Sequence, residues 1–459
     1  MAEKTRKLTA LGDNCLSYKH LLAFFLPLAV TPFFIMSIHS LMNAALARLP
    51  YPELSIAVFT VVKGIANAVK APDAMFMQLN VSLVDDRKSF YTTSKFAWSL
   101  GGGFFAILFV LGYSPAGGWF LRNIIGLTDP EAIRFALLGL RITCFLPLAE
   151  TLRNVHRGLV IGHERTRIVT AGTAVRLVMI SLFLFWAVRT QLISGIVGAS
   201  LAWTLGIGIE GLVVFLAVIY YFSSPGQAAE ELPKKDKGSL KMAQVLSFFV
   251  PLAVMRMLWS FLQPLIQSGI ARSVENPTLD LAAFGVAYGV IMLLVGPLRN
   301  LHQCSLVYVQ EDDYDRWMKV KRFSLYAGGI CTLLSFALFL TPAGFWIMHH
   351  IIGVSVEVAS LGRMVLLALS ILPLIRSIRE AYWGLLMGRQ ATKLIGYAMG
   401  LNLSVVFLVL LLAIGPLEAA AWISPAVIGA AAFTIGQAVE TLVVWYFAGD
   451  DLVPGAGKN

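Results

Sequence analysis

The chain has 459 residues, of which 58% are hydrophobic and only 14% charged, and its mean hydropathy is +0.75. A water-soluble domain of this length carries far more charge, so soluble enzymes and soluble binding modules are excluded. The net charge of +10 comes without any basic tract interleaved with aromatics, so nucleic acid is not a partner.

Residues 1–18 form a polar tail with Lys4, Arg6 and Lys7. Twelve apolar runs follow, each about long enough to cross a bilayer. They lie at 20–45, 54–84, 92–114, 133–160, 167–189, 193–221, 243–270, 278–308, 322–347, 356–388, 391–416 and 423–447. The first is too long for a signal-peptide core and has no cleavage site, so it reads as a retained span. The loops between runs are short and leave no room for a soluble catalytic domain. The one real linker is 223–241, SSPGQAAEELPKKDKGSLK. It separates an N-terminal lobe of six spans (1–222) from a C-terminal lobe of six (242–459) and is expected to join them loosely.

Basic residues set the orientation. Arg87, Lys88, Lys95, Arg165, Arg167, Lys234, Lys235, Lys237, Lys241 and Arg316 fall on the side of Lys4. The opposite loops hold little beyond Arg48, Arg122, Arg189 and Arg272. Both ends are therefore expected in the cytoplasm, in a multi-pass plasma membrane protein (inner membrane, if bacterial). Cys15, Cys144, Cys304 and Cys331 are scattered and give neither a disulfide framework nor a zinc spacing.

The two halves repeat. LAFFLPLAV at 22–30 returns as LSFFVPLAV at 246–254, and FLPLAETLRNVHRGLVIGHERT at 145–166 returns as ILPLIRSIREAYWGLLMGRQAT at 371–392. Pro27, Pro72 and Pro147 match Pro251, Pro297 and Pro373, and Glu210 matches Glu440. Each half has an even number of spans, so the copies point the same way. This predicts an all-α membrane protein of twelve helices in two pseudo-symmetric six-helix lobes, with a cavity between them. The matched prolines mark kinks and candidate hinges.

Ionisable groups at bilayer depth are costly and normally face a cavity or a partner. Lys63 and Lys70 share one face of the second span; Glu150, Arg153, Asn154 and Arg157 share one face of the fourth, with His156 at its margin. Arg176, Arg256, Arg299, Arg376, Arg379 and Glu380 are also deep. Pairing within a helix is the structural alternative: Glu150 with Arg153, Lys70 with Asp73, Arg376 with Glu380. Bases nevertheless outnumber acids, and arginine suits planar carboxylates and phosphates. The substrate is expected to be a small anion held by Lys63, Lys70, Arg153, Arg157, Arg376, Arg379, Asn43 and Gln267. Glu150, His156 and Glu380 are expected to couple transport to a proton or sodium ion. His39 with Asn43, and Gln263 with Gln267, place polar groups at matched positions, where helix–helix hydrogen bonding is an equal reading. The acidic run Glu311-Asp312-Asp313-Tyr314-Asp315 reads as a helix amino terminus rather than a metal site. No catalytic residue, metal ligand or cofactor motif is assigned, and the chain reads as a monomer.

The fourth and tenth spans carry a resemblance. Leu146-Pro147-Leu148-Ala149-Glu150, then His156-Arg157-Gly158 and His163, with Pro373, Arg379 and Trp383-Gly384-Leu385, resemble the progressive ankylosis (ANK) family. That family lies within the multidrug/oligosaccharidyl-lipid/polysaccharide (MOP) exporter superfamily. The resemblance implies a fold like that of multidrug and toxic compound extrusion (MATE) proteins. It also implies export of citrate, other carboxylates, pyrophosphate or nucleotides. The competing readings are a MATE-like cation/drug antiporter, which would want an acid in the first span, and a flippase of an anionic lipid-linked substrate. An intramembrane transferase would need its metal acids at 311–315.

Overall fold

A computed structural model describes residues 16–127, 129–233, 240–272, 276–309, 313–419 and 423–448. The basic tail residues Lys4, Arg6 and Lys7, Cys15, the linker lysines at 234, 235 and 237, and Glu311 and Asp312 lie outside these. Among the described residues, twelve helices are long and apolar enough to cross a membrane. They are α1 (Tyr18–Leu46), α2 (Leu54–Leu83), α3 (Arg87–Tyr113), α4 (Pro130–Gly162), α5 (Thr166–Thr190) and α6 (Gly195–Phe222). The second lobe has α7 (Met242–Ile270), α8 (Pro277–Tyr308), α9 (Tyr314–Leu340), α10 (Val356–Gly388), α11 (Thr392–Ile414) and α12 (Pro425–Phe447). Their outward faces are apolar: Phe185, Leu333 and Leu412 are 72%, 71% and 62% exposed. Only lipid covers such faces without cost. The protein is a multi-pass membrane protein.

Helix starts follow capping residues rather than the onset of apolarity. The third span begins at Arg87, not 92, because Asp86 accepts from the Ser89 amide and the Ser89 hydroxyl accepts from the Asp86 amide. The Ser89 donors hold the Asp86 carboxyl below its usual range. The ninth span, expected at 322–347, is displaced to Tyr314–Leu340. Asp313 caps it by accepting from the Arg316 amide, so its first turns are the polar ones, and Pro342 follows its end.

Packing repeats between the lobes. α1 lies on α5 as α7 lies on α11; α4 lies on α6 as α10 lies on α12. The hydroxyl of Thr166 donates to the Phe24 carbonyl at 2.8 Å, and that of Thr392 to the Phe248 carbonyl at 2.9 Å. Each carbonyl stands three residues before a matched proline, Pro27 or Pro251, where the helix ladder is disturbed. Asn80 donates to the Val155 carbonyl, and Ser305, its counterpart, to that of Ala381. The other matched prolines mark breaks. Pro72 sits in a 3₁₀ turn, Ala71–Met75. Pro297 ends the first piece of α8, and Pro147 and Pro373 start the second pieces of α4 and α10.

Gly384 lies where α10 crosses α8. A Cβ there would stand 2.3 Å from the His302 carbonyl oxygen. Gly384→Ala should therefore force the helices apart and destabilise the protein by about 1–3 kcal/mol, the usual cost of overpacking. A thermal melt of the detergent-solubilised variant checks this. An unchanged melt would show that the crossing has slack.

The segment after α6 is not loose throughout. Pro225–Glu230 is helical and packs on α3 and α4, and Nε2 of His163 lies 2.6 Å from the Ala228 carbonyl oxygen. Burial and that bond compete at His163, and burial prevails, lowering its pKa.

The lobes meet through α1 against α8 and α2 against α7. Hydrogen bonds and ring contacts join them at one end, where α1 and α7 begin. Tyr308 donates to Glu164 at 2.9 Å, and His20 lies 2.7 Å from the same carboxylate. Asn300 donates to the Leu28 carbonyl, and Gln78 meets His302 at 3.3 Å. Phe249 packs on Phe76 and Phe96, and Phe25 on Phe323. This end is sealed.

Candidate functional site

Beyond the seal, between the lobes, lies a cavity of about 770 Å³. α2 brings Lys63 and Lys70 to its wall, α4 brings Glu150 and Arg153, and α5 brings Arg176. From the second lobe, α7 brings Arg256 and Gln267, and α8 brings Arg299. Six strong cations thus face one carboxylate. Trp203, Trp259 and Tyr288 supply ring faces. The lining on α7 reaches Gln267, close to the end of that helix away from the seal.

The carboxylate is already engaged. Glu150 accepts from Lys70 Nζ at 3.0 Å, and an Arg153 nitrogen lies 3.6 Å from the same oxygen. Lys70 also stands 5.5 Å from the Trp203 ring centroid. Lys63 lies 3.4 Å from His39 Nδ1. The side chains of Arg256 and Arg299 have no ion pair or hydrogen bond among the described residues. A positive potential in a low-dielectric cleft is focused rather than screened.

Of the residues singled out from the sequence, Lys63, Lys70, Arg153, Glu150 and Gln267 line the cavity; Asn43, Arg157, Arg376, Arg379, His156 and Glu380 are not part of that lining. Arg157 is turned into its own lobe, where it pairs with Glu210 and donates to Thr173 at 2.9 Å. Glu210 also takes Arg176 at 3.2 Å and Arg153 at 3.5 Å, so three guanidinium groups surround it. Arg379 is fully buried and donates to Glu440 at 2.9 Å, Gln437 at 2.5 Å and Glu380 at 3.2 Å. Arg376 pairs with Glu380 at 2.9 Å and stands 4.8 Å from the Trp259 ring centroid, behind the cavity wall. Glu380 also meets His302 Nδ1 at 2.8 Å. His156 is bonded to the Leu152 carbonyl in its own helix and packs edge-on against Phe215.

The matched copies diverge here. Arg153 and Arg379 each face the matched glutamate of α6 or α12. Arg176 on α5 has Asn402 on α11 as its counterpart, and Asn402 donates to Glu440 at 2.5 Å. Glu440 and Glu380 share two arginines, whereas Glu210 alone has three. The cationic surplus belongs to the first lobe, joined by Arg256 and Arg299 from across the cavity. The deep bases Arg176, Arg256 and Arg299 were visible in the sequence but not chosen as ligands; nothing in their spacing says that they turn inward.

Twelve spans in two pseudo-symmetric lobes around a central polar cavity define the architecture of MATE-type membrane transporters. The solved structures agree. A MATE structure in the straight conformation superposes with a TM-score of 0.70 at 14% identity, covering 94% of this chain and 95% of that one. The eukaryotic MATE transporter AtDTX14 gives 0.69 at 12% identity, covering 94% and 95%. A MOP superfamily transporter from Pyrococcus furiosus, whose binding pocket is described as of reverse polarity, gives 0.67 at 14% identity, covering 94% of each chain. Residues 234–456 match the family model of the progressive ankylosis protein (ANKH). The resemblance drawn from the sequence meets a family match over the second half of the chain, and the MATE-like fold that it implies is borne out along the whole chain.

Proposed function

We propose that this protein is an alternating-access transporter of small organic or phosphorylated anions, with citrate and other carboxylates, pyrophosphate and nucleotides as the candidate substrates. The observation that carries this is the cavity charge: Arg256 and Arg299, whose side chains have no ion pair or hydrogen bond among the described residues, face Lys63, Lys70, Arg153 and Arg176 across a space that holds one paired carboxylate. Guanidinium groups bind carboxylate and phosphate oxygens in two-point contacts, and about 770 Å³ accommodates a ligand of that size. A cation/drug antiporter needs an accessible acid, and Glu150 is held by Lys70 and Arg153.

The sealed end is the one that the basic loops assign to the cytoplasm, so the cavity faces outward, as in an exporter after release. Reloading requires the Tyr308–Glu164, Gln78–His302 and Phe249 contacts to part. Proteoliposomes loaded with labelled citrate, pyrophosphate or ATP should show flux of at least one of them. If none moves and a cationic dye does, the anion reading fails.

A further inference from the structure

The acids and the histidine expected to couple transport are all engaged: Glu150 by Lys70, Glu380 by Arg376, Arg379 and His302, and His156 by the Leu152 carbonyl. One buried acid is not. Asp73 is 0% exposed, and neither of its carboxylate oxygens has a hydrogen-bond partner. Its backbone is held, since the Asn154 amide donates to the Asp73 carbonyl at 2.9 Å. The residue lies in the 3₁₀ turn that Pro72 opens in α2. Lys70, Ala71 and Ala74 around it line the cavity, and the turn packs on α4 and, across the lobe interface, on α7. Lys70, three residues earlier, is committed to Glu150 instead.

We propose that Asp73 carries a proton together with the substrate anion and is the coupling group of the transport cycle; this rests on the anion reading above. An ionised carboxylate buried without a partner is among the costliest states a membrane interior can hold, and protonation relieves it. The charged groups on the elements packed against the turn are few. They are Lys63 and Lys70 on its own helix, Glu150 and Arg153 on the second piece of α4 (Leu146–Gly162), which is the piece packed on the turn, and Arg256, the one charged residue of α7; His156 and Arg157 on that piece of α4 are bonded to Leu152 and Glu210. With Asp73 protonated, Lys70 answers to Glu150, Arg153 is shared between Glu150 and Glu210, and the remaining positive potential is free for an anion. When Asp73 ionises, a second carboxylate competes with the substrate for the same cations. Protonation and anion binding therefore favour each other by linkage. The proton is taken from water on the loading side and returned to water on the release side. A metal ion in the same place would be repelled by Lys70 and Arg153, whereas a proton needs a single oxygen.

Asp73→Asn keeps the shape and fixes the neutral state. In proteoliposomes holding the full chain, an acid-side pH gradient should drive wild-type citrate accumulation against its own gradient. The variant should exchange citrate downhill but lose this accumulation. Citrate binding, followed by tryptophan fluorescence, should weaken by up to about tenfold per pH unit more in wild type than in the variant, since one proton is linked. Citrate's own titration is common to both proteins and cancels. A variant that keeps wild-type pH dependence, or accumulation driven by sodium and not by pH, overturns the proposal. If neither protein binds or moves citrate, pyrophosphate or ATP, the anion reading itself has failed. Should Asp73→Asn not fold, Asp73→Glu serves: it retains a titratable group at an altered position and should shift the pH profile, and an unshifted profile overturns the assignment.

Discussion

Arg379→Ala is expected to destabilise the solubilised protein by about 3–5 kcal/mol, the cost of removing one partner from a buried charge pair. The sequence suggests a different outcome, lost transport in a folded protein, because a deep arginine in a repeated motif looks like an anion ligand. The structure places it in the core of the second lobe. It is fully buried and holds Glu440, Glu380 and Gln437 at once. Its removal strands Glu440 with only the amides of Asn402 and Gln437. Size-exclusion profiles and thermal melts in detergent decide between the two. A variant as stable as wild type but inactive would return Arg379 to the substrate.

Arg256→Gln should do the opposite: anion affinity falls by about 10–100-fold, the worth of one charge-assisted hydrogen bond, while stability holds or rises. The asymmetry comes from partnering. Arg256 faces the cavity with no ion pair or hydrogen bond among the described residues, so the fold loses no contact and is relieved of a half-buried charge. Concentration-dependent citrate flux beside a thermal melt separates the terms. Unaltered affinity would remove α7 from the binding surface. Arg299→Gln on α8 should behave in the same way, and the double variant should lose more than either alone.

The architecture was legible because it is written in long-range regularities. Apolar length defines the spans, the return of 145–166 at 371–392 defines the lobes, and the matched pairs Pro72 with Pro297 and Pro147 with Pro373 mark helix breaks. Misplaced starts came where capping outranked hydropathy, at Asp86 and Asp313. The cavity was legible in kind, a cationic cleft, but only partly in its members. Helical spacing shows which charges share a face of one helix; it does not show which helix stands opposite. Arg376 with Glu380 was a pair visible at that range. Arg157 with Glu210 and Arg379 with Glu440 reach across helices far apart in the chain. The clue was present, since Glu210 and Glu440 are themselves a matched pair. Lys70 shows the converse error: spacing offers it Asp73, and the fold gives it Glu150.

The excess of fixed positive charge in the cavity has an electrical consequence. Under the proposed cycle, a carrier that returns empty moves that charge through the membrane field, while a carrier filled with a multivalent anion moves less of it. An elementary charge carried through a full 100 mV is worth about 2.3 kcal/mol. On that proposal the resting voltage would bias loaded and empty carriers unequally, and Arg256 and Arg299, whose side chains have no ion pair among the described residues, would act as gating charges as well as ligands.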